Sequence, residues 1–317
     1  MNEPVMNESS MKEPVMNEPV IRAKKLCKIY DKKTAIQSFS IDIPEGGLIG
    51  LIGRNGSGKT TFMKMCAGRL DVTSGSLEVF GSAPMDNLNV LSRLVYTHHD
   101  VTYSKQLNLQ NIVKNYAAMF PDFDMDFAVR LLKYFDISSE MKYRQLSQGM
   151  KSVFNFICGL SCRSKLTMFD EPVLGMDITV RKAAYEILLR DYTEHPRTII
   201  ISSHLLAELE SVLSDILLID EGCLVLFRNI DDLRQSAYRV EGEKDAVDAF
   251  CAGKNTIYVK NGSSGEAVIM ETFNDGVAAR AKQSGLRVST VRPEDLCVYM
   301  TKENKEGELE CLWQKTN

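Results

Sequence analysis

A glycine-rich turn at residues 53–60, which reads GRNGSGKT, constrains this chain more than any other segment. It matches the phosphate-loop template of Gly, four residues, Gly, Lys and Ser or Thr at every fixed position. The apolar run GLIGLIG leads into the turn, and a helical pattern follows it from Thr60 and Thr61. Because the template requires a strand before the turn and a helix after it, the sequence predicts a phosphate-binding loop here.

Each part of this turn suits the phosphates of a nucleotide. Backbone N–H groups and the positive end of the following helix can cradle phosphate oxygens. Lys59 is expected to reach the β and γ phosphates of ATP, and the Thr60 hydroxyl is expected to bind Mg²⁺. The nucleotide-binding residues predicted in this turn are Gly53, Asn55, Gly56, Ser57, Gly58, Lys59, Thr60 and Thr61.

Two adjacent carboxylate residues, Asp170 and Glu171, lie near the carboxyl end of the segment KLTMFDEP, directly after its apolar residues. In open parallel sheets, ligands bind at the carboxyl ends of the strands. Asp170 is therefore predicted to hold the Mg²⁺ shell, and Glu171 to act as the general base that polarises the attacking water. An Asp-Glu pair at the end of a strand is by itself an ordinary solvated turn, and the phosphate loop upstream favours the catalytic interpretation.

Strands alternate with helices over most of the chain. A helical section covers residues 107–160, and the strands KLTMFD and RTIIISS flank an amphipathic helix near residues 180–194. This order predicts an α/β fold, with a parallel sheet covered on both faces. After Asp232 the pattern changes to short strands and two short helices, near residues 244–251 and 276–284, which predicts a small α+β domain.

The sequence divides into four predicted parts. Residues 1–20 repeat MNEPV-like units and are expected to be a disordered tail, and residues 21–231 form the ATPase domain. Residues 232–302 form the accessory α+β domain, which is interpreted either as a sensor or as an appendage that stabilises a dimer. Residues 303–317 form a polar tail.

Composition excludes several classes of protein. The net charge of −4 gives no field that would attract nucleic acid, so no nucleic-acid partner is predicted. The longest apolar runs are far shorter than the roughly 20 residues of a membrane-spanning helix. No secretory signal is recognisable, and the eight scattered cysteines have no paired metal-type spacing, so a reducing cytoplasm is expected.

The segment LSQGM at residues 146–150 resembles the signature motif of the ATP-binding cassette (ABC) family, whose usual form is LSGGQ. Leu146, Ser147 and Gly149 match this form, whereas Gln148 and Met150 depart from it. In the family, the motif contacts the γ-phosphate of ATP held by the opposite subunit. The resemblance therefore implies that Ser147 and Gly149 bind nucleotide across a head-to-tail dimer of two cassettes, identical or different. By sequence alone, Ser147 is equally an ordinary helix N-cap.

Other segments extend the resemblance over residues 21–232. Tyr30 matches the aromatic residue that stacks on adenine, and Asp177 lies in LGMD, which matches the loop that touches the partner cassette. His204, at the end of RTIIISSH, matches the switch histidine that bonds the γ-phosphate and is predicted to be catalytic with Glu171 and Lys59. The family fold implied is a phosphate-loop NTPase core with an antiparallel N-terminal β subdomain and a helical signature subdomain.

One position departs from the family pattern. In the family, a Gln normally follows the strand that reads LVYTHH here. Matching this sequence to the family pattern puts His99 at the position of that Gln, with His98 as the alternative. Imidazole nitrogen is a poorer ligand than an amide oxygen for the hard ion Mg²⁺. We expect His99→Gln to keep or raise the rate of ATP hydrolysis, measured as phosphate release. A loss of tenfold or more would contradict the assignment of His99 to the nucleotide site.

The function implied is that of a transporter motor. The segments DEPVLGMD and LSQGM resemble those of bacterial exporter subunits, so the chain is expected to bind and hydrolyse ATP for a separate integral membrane permease. It is then peripheral, on the cytoplasmic face of the membrane. The alternative is a soluble or regulatory ABC ATPase that is not coupled to transport; the sequence has no second cassette, heptad array or basic arm typical of soluble ABC machines on ribosomes or DNA.

Overall fold

The computed structural model describes residues 18–98, 101, 103–104, 106–260 and 264–301. Almost all of the predicted N-terminal tail, the predicted C-terminal tail and His99 lie outside the described residues. Among the described residues, no helix is long and apolar enough to span a bilayer.

Strands and helices alternate through the described part of the chain. The strands are β1 (Ile21–Tyr30), β2 (Lys33–Ile43), β3 (Leu48–Ile52), β4 (Ser74–Val79), β5 (Leu94–His98), β6 (Leu166–Asp170), β7 (Thr198–Ser203), β8 (Asp215–Asp220), β9 (Cys223–Asn229), β10 (Tyr238–Glu243), β11 (Thr256–Val259), β12 (Ser264–Ile269) and β13 (Arg287–Thr290). The helices are α1 (Lys59–Cys66), α2 (Leu88–Leu91), α3 (Leu109–Met119), α4 (Met125–Tyr134), α5 (Gln148–Ser161), α6 (Ile178–Glu194), α7 (Leu206–Leu209), α8 (Ile230–Gln235), α9 (Lys244–Cys251), α10 (Asp275–Gln283) and α11 (Pro293–Met300).

The central sheet has the strand order β5-β6-β7-β3-β8-β9, with β9 antiparallel at one edge and the other strands parallel. Both of its faces are buried, because Ile199 and Ile201 point into one hydrophobic cluster and Ile200 points into the other. Burial on both faces explains the continuous apolar runs of these strands. The prediction of an α/β fold with a covered parallel sheet is confirmed.

Two further units flank the central sheet. Strands β2-β1-β4 form an antiparallel sheet, and its apolar side chains pack with α1 in the same cluster as one face of the central sheet. Helices α3, α4 and α5 form the helical subdomain on the other face. Helix α5 is the most buried of the three, with every residue of 152–161 buried. The antiparallel N-terminal subdomain and the helical subdomain are therefore both present.

The C-terminal residues form a β-α-β-β-α-β unit with the strand order β11-β12-β10-β13 and antiparallel neighbours. This connectivity and order are those of a ferredoxin-like sheet. Helices α9 and α10 cover one face through a cluster that includes Val247 and Val277. The predicted α+β character is thus confirmed, while the predicted boundary between residues 231 and 232 falls inside α8 and the domain division stays a prediction.

The last helix, α11, covers the other face of this ferredoxin-like sheet. The Tyr299 ring stacks on Tyr258 of β11 at 4.3 Å, and its hydroxyl lies 3.1 Å from Arg239 Nη2 of β10. Cys297 and Leu296 of α11 pack in the same cluster as α7. Helix α11 therefore joins the ferredoxin-like sheet to the central sheet, next to the phosphate loop.

Candidate functional site

The phosphate loop connects the buried strand β3 to α1. Gly58 is the N-cap of α1, with a φ of 110°. A Cβ at this position would lie 2.7 Å from the carbonyl oxygen of Ala35, so a side chain is excluded by the neighbouring strand as well as by the backbone. Thr60 and Thr61 lie in the first turn of α1, where backbone N–H groups lack partners within the helix. The loop thus presents backbone donors to the space above it.

The side chain of Lys59 lies within the loop. Its Nζ donates hydrogen bonds to the carbonyl oxygens of Gly53 at 2.6 Å and Arg54 at 3.2 Å, and it lies 3.8 Å from Glu171 Oε1. Burial lowers the pKa of the Lys59 ammonium, and the charges of Glu171 and Asp170 oppose this shift. The ammonium also lines an open cavity, so a phosphate group could reach it there.

A cavity of about 400 Å³ lies in front of the loop. It is lined by predicted site residues together with four that the sequence did not single out, and the full lining is Tyr30, Lys33, Ala35, Arg54, Asn55, Gly56, Gly58, Lys59, Thr60, Thr61, Glu171, Leu174 and His204. Tyr30 at the mouth is 41% exposed, as a residue that stacks on a base requires. The four additional residues are Lys33, Ala35, Arg54 and Leu174, and each lies within a few positions of a predicted residue. Closeness in sequence was the signal by which they could have been predicted.

The phosphate loop and the cavity in front of it together fit the phosphates of a nucleotide. Ser57 Oγ is buried and has no hydrogen-bond partner among the described residues, which leaves it as a donor for a phosphate oxygen. Gly56 has a φ of 84° and no atom within 4 Å of an added Cβ, so its backbone is open to a ligand. An orphaned hydroxyl, an open glycine backbone and a buried ammonium form a suitable donor set for ATP.

The two carboxylates follow β6, but their environments differ. Asp170 is 3% exposed, and each of its oxygens accepts one hydroxyl hydrogen bond: Oδ1 from Ser202 Oγ at 2.6 Å and Oδ2 from Tyr96 at 3.0 Å. Glu171 has a φ of 50°, a left-handed conformation uncommon for a residue with a side chain. Its carboxylate reaches the cavity, 3.1 Å from His204 Nδ1.

Ser202 and Tyr96 were missed by the sequence reasoning. Both lie on strands adjacent to β6, and Ser202 is directly opposite Asp170 in the parallel register of β6 and β7. Their signal was their position near the carboxyl ends of predicted strands. That signal becomes specific only when the order of the strands is known.

The signature-like segment lies apart from this cavity. Ser147 is the N-cap of α5 and its Oγ accepts the N–H of Met150 at 3.2 Å. A Cβ at Gly149 would lie 2.5 Å from the carbonyl oxygen of Gly175, so LSQGM and LGMD pack closely together. Asp177 is the N-cap of α6. Among the described residues lining the cavity, Ser147, Gly149 and Asp177 are not present.

His98, the alternative to His99 in the sequence alignment, lies at the end of β5, level with Asp170 in the register of β5 and β6. Its ring stacks on Tyr96 with centroids 5.4 Å apart. Asn155 of α5 donates to the His98 carbonyl oxygen at 3.3 Å. The end of β5 is thereby fixed both to the carboxylate side of the site, through Tyr96, and to the helical subdomain.

Comparison with known proteins agrees with this geometry. Residues 36–174 match the family model described as ABC transporter. The chain is 25% identical over 222 residues to the ABC transporter ATP-binding protein YtrB of Bacillus subtilis, covering 70% of this chain and 76% of YtrB. It is 29% identical over 239 residues to the bacitracin transport ATP-binding protein BcrA of Enterococcus faecalis, covering 74% of this chain and 77% of BcrA.

A solved structure of the ATP-binding subunit of an ABC transporter shares the fold. It superposes with a TM-score of 0.59 at 23% identity, covering 68% of this chain and 92% of that one. The superposition thus spans nearly the whole of the solved subunit and about two thirds of this chain. Residues 36–174 therefore lie in a nucleotide-binding domain of the ABC transporter type, the kind of domain that hydrolyses ATP.

Proposed function

We propose that this chain is the motor subunit of an exporter, which hydrolyses ATP to move a substrate through a separate membrane permease. The observation that carries the proposal is the meeting of Lys59, Glu171 and His204 around one cavity in front of the phosphate loop. These are the three groups that the sequence predicted to be catalytic. The bacitracin transport ATP-binding protein BcrA of Enterococcus faecalis supports the coupling to transport by likeness.

The phosphate loop is proposed to hold the triphosphate. Lys59 would turn from the two carbonyl oxygens that it contacts toward the β and γ phosphates, and Ser57 Oγ would donate to a phosphate oxygen. The N–H groups at the start of α1 add the positive end of the helix to this set. Tyr30, which lines the cavity, would stack on the base.

Water activation is assigned to Glu171. Its carboxylate lies at the cavity wall within 3.2 Å of His204 Nδ1, so the histidine can orient the carboxylate while both face the terminal phosphate. Thr60 and Asp170 are the residues that would hold Mg²⁺, with oxygen donors that suit this hard ion. When bound, Mg²⁺ neutralises charge that develops on the phosphate oxygens.

A second cassette is proposed to complete the site. Ser147, Gly149 and Asp177 lie outside the cavity of their own chain but pack together as one surface through Gly149 and Gly175. Ser147 caps the N-terminal end of α5 by accepting the N–H of Met150, and the other N–H groups of this first turn would bind an anion. In a head-to-tail dimer this surface would face the partner's γ-phosphate, and ATP would then drive closure of the dimer.

The helical subdomain is proposed to receive the permease on the cytoplasmic side of the membrane. A groove of about 710 Å³ lies between α3 and α4, and its lining combines apolar side chains with Lys114 and Lys133. Val129, which is 53% exposed, lies in this groove. A face with exposed apolar groups beside charged ones is typical of a protein interface.

The test uses the full chain with an affinity tag, purified from detergent-solubilised membranes of its own host. We expect a polytopic membrane protein to co-purify, and the complex in liposomes to hydrolyse ATP. Val129→Asp is expected to reduce co-purification about tenfold or more while the chain alone hydrolyses ATP normally, because a buried unpaired charge costs several kcal/mol at an interface.

Val259→Asp is the matched control, since Val259 is 51% exposed but belongs to β11 of the ferredoxin-like sheet. It is expected to keep both co-purification and hydrolysis. If no membrane protein accompanies the parent chain under any condition, the soluble or regulatory alternative replaces the exporter. An equal loss of co-purification with Val129→Asp and Val259→Asp would mean that the groove is not the docking face.

A further inference from the structure

A single buried hydroxyl lies between the two carboxylate residues of the site. Ser202 in β7 is 0% exposed, and its Oγ lies 2.6 Å from Asp170 Oδ1 and 2.9 Å from the backbone N of Glu171. The hydroxyl has one proton, which it donates to the carboxylate, and its lone pair accepts the Glu171 N–H. One oxygen atom therefore contacts both residues at the point where the chain leaves β6.

The backbone of Glu171 needs such a contact. Its φ of 50° lies in the left-handed region, which residues with side chains adopt infrequently and keep only where the surrounding structure holds them. The contact from Ser202 is made to the N–H of this same residue. The left-handed turn is also what carries the Glu171 side chain to the cavity wall after the buried Asp170.

From this geometry we infer that Ser202 is a positioning residue for ATP hydrolysis, which holds the Glu171 backbone and the Asp170 carboxylate in one fixed arrangement. The inference rests on the proposed roles of Glu171 and Asp170. Ser202 does not line the nucleotide cavity among the described residues, so it acts through its two neighbours.

A variant of Tyr96 distinguishes the support that Ser202 gives to Asp170 from the support that it gives to the Glu171 backbone. The Tyr96 hydroxyl donates to Asp170 Oδ2 at 3.0 Å and, among the described residues, makes no hydrogen bond with Glu171. Tyr96→Phe therefore removes one support of Asp170 and leaves the Glu171 N–H bonded. Ser202→Ala removes a support of Asp170 and also frees the Glu171 backbone. The difference between the two variants isolates the contribution of the Glu171 contact.

Loss of the hydroxyl should affect turnover rather than nucleotide binding. A general base must stay within hydrogen-bond reach of the attacking water, and displacements near 1 Å lower rates by as much as about 100-fold. Lys59 and the loop backbone are untouched by Ser202, so ATP affinity should be preserved. For Ser202→Ala we expect kcat to fall about tenfold or more, with KM for ATP within about twofold of the parent.

The experiment compares Ser202→Ala with Ser202→Thr, Tyr96→Phe and Glu171→Gln in the full chain. Thr198→Val is the matched control, because Thr198 is in the same strand, equally buried, and its Oγ1 also accepts one backbone N–H, from Gly46 at 2.8 Å. Measurements are kcat and KM, the affinity for a fluorescent ATP analogue, the lifetime of the ATP-bound dimer by light scattering, and thermal melting.

The expected pattern has Ser202→Ala slow, with unchanged analogue affinity and a dimer lifetime about tenfold longer. Tyr96→Phe should be less impaired, Thr198→Val should match the parent, and Ser202→Thr should recover activity if it melts like the parent. A Ser202→Ala variant that hydrolyses ATP within twofold of the parent, while Glu171→Gln is inactive, overturns the inference but leaves the proposed function intact. If Glu171→Gln remains active, the proposed role of Glu171 itself fails.

Discussion

Replacement of Glu171 by Gln is expected to lower kcat for ATP hydrolysis by about 100-fold or more, because an amide cannot accept the proton of the attacking water. Gln keeps the size of the side chain, so the cavity and the contact with His204 should keep their shape. Nucleotide binding should persist, since the phosphate loop is unchanged. In the presence of Mg²⁺ and ATP, the variant should accumulate as a dimer, which light scattering measures alongside phosphate release.

Glu221→Gln is the matched control for this variant. Glu221 is another glutamate with a left-handed backbone, with a φ of 46°, and it does not line the cavity among the described residues. We expect its kcat to stay within about twofold of the parent. Rapid hydrolysis by Glu171→Gln would show that a different group activates the water. An inactive variant that stays monomeric in ATP would argue against the two-cassette arrangement.

The second large effect is expected for Lys59→Met. The lysine side chain is 6% exposed and its ammonium has two loop carbonyl oxygens as partners, so its charge lies where the triphosphate would bind. Loss of a charge-assisted hydrogen bond costs about 2 kcal/mol, or roughly 30-fold in ATP affinity. Loss of one charge-stabilising donor costs about 100-fold in kcat. Isothermal titration with ATP and a phosphate-release assay measure the two effects.

The melting temperature of Lys59→Met distinguishes a role of Lys59 in nucleotide binding from a role in holding the fold together. Burial lowers the pKa of Lys59, which means that the folded chain holds the ammonium at a cost in solvation. Met has a similar length and no charge, so the melting temperature of Lys59→Met should be close to that of the parent. Lys64→Met, in the same helix but in its last turn, is the control and should bind ATP normally. Unchanged ATP affinity in Lys59→Met would remove Lys59 from the site.

The local features of the site could be predicted from the sequence, because each of them depends on a short segment of the chain. The phosphate loop needs glycines at fixed spacing, and a strand and helix on either side, so GRNGSGKT after GLIGLIG was sufficient to predict it. The helix that the sequence predicted at residues 244–251 coincides with α9 for the same reason. The family resemblance added Tyr30 and His204, which line the same cavity as the loop.

Other features depend on which strands become neighbours. Ser202 is 31 residues from Glu171 and Tyr96 is 74 residues from Asp170, and neither spacing has a motif. They meet because β5, β6 and β7 lie side by side in parallel register, an arrangement set by packing over the whole sheet. The left-handed backbone of Glu171 likewise cannot be predicted from a Phe-Asp-Glu-Pro sequence, since β6 and Ser202 together hold it.

The sequence by itself determined the α/β class, the phosphate loop, the pair of carboxylates and the ABC family resemblance, because each is encoded in contiguous residues. Tertiary structure alone decided the strand order, the Ser202 contact between Asp170 and Glu171, and the ferredoxin-like order of the C-terminal sheet. It also placed α11 beside the phosphate loop, where Cys297 and Arg54 line one cavity of about 250 Å³. These features arise from contacts between residues far apart in the chain, whose free energy depends on the packing of the complete fold.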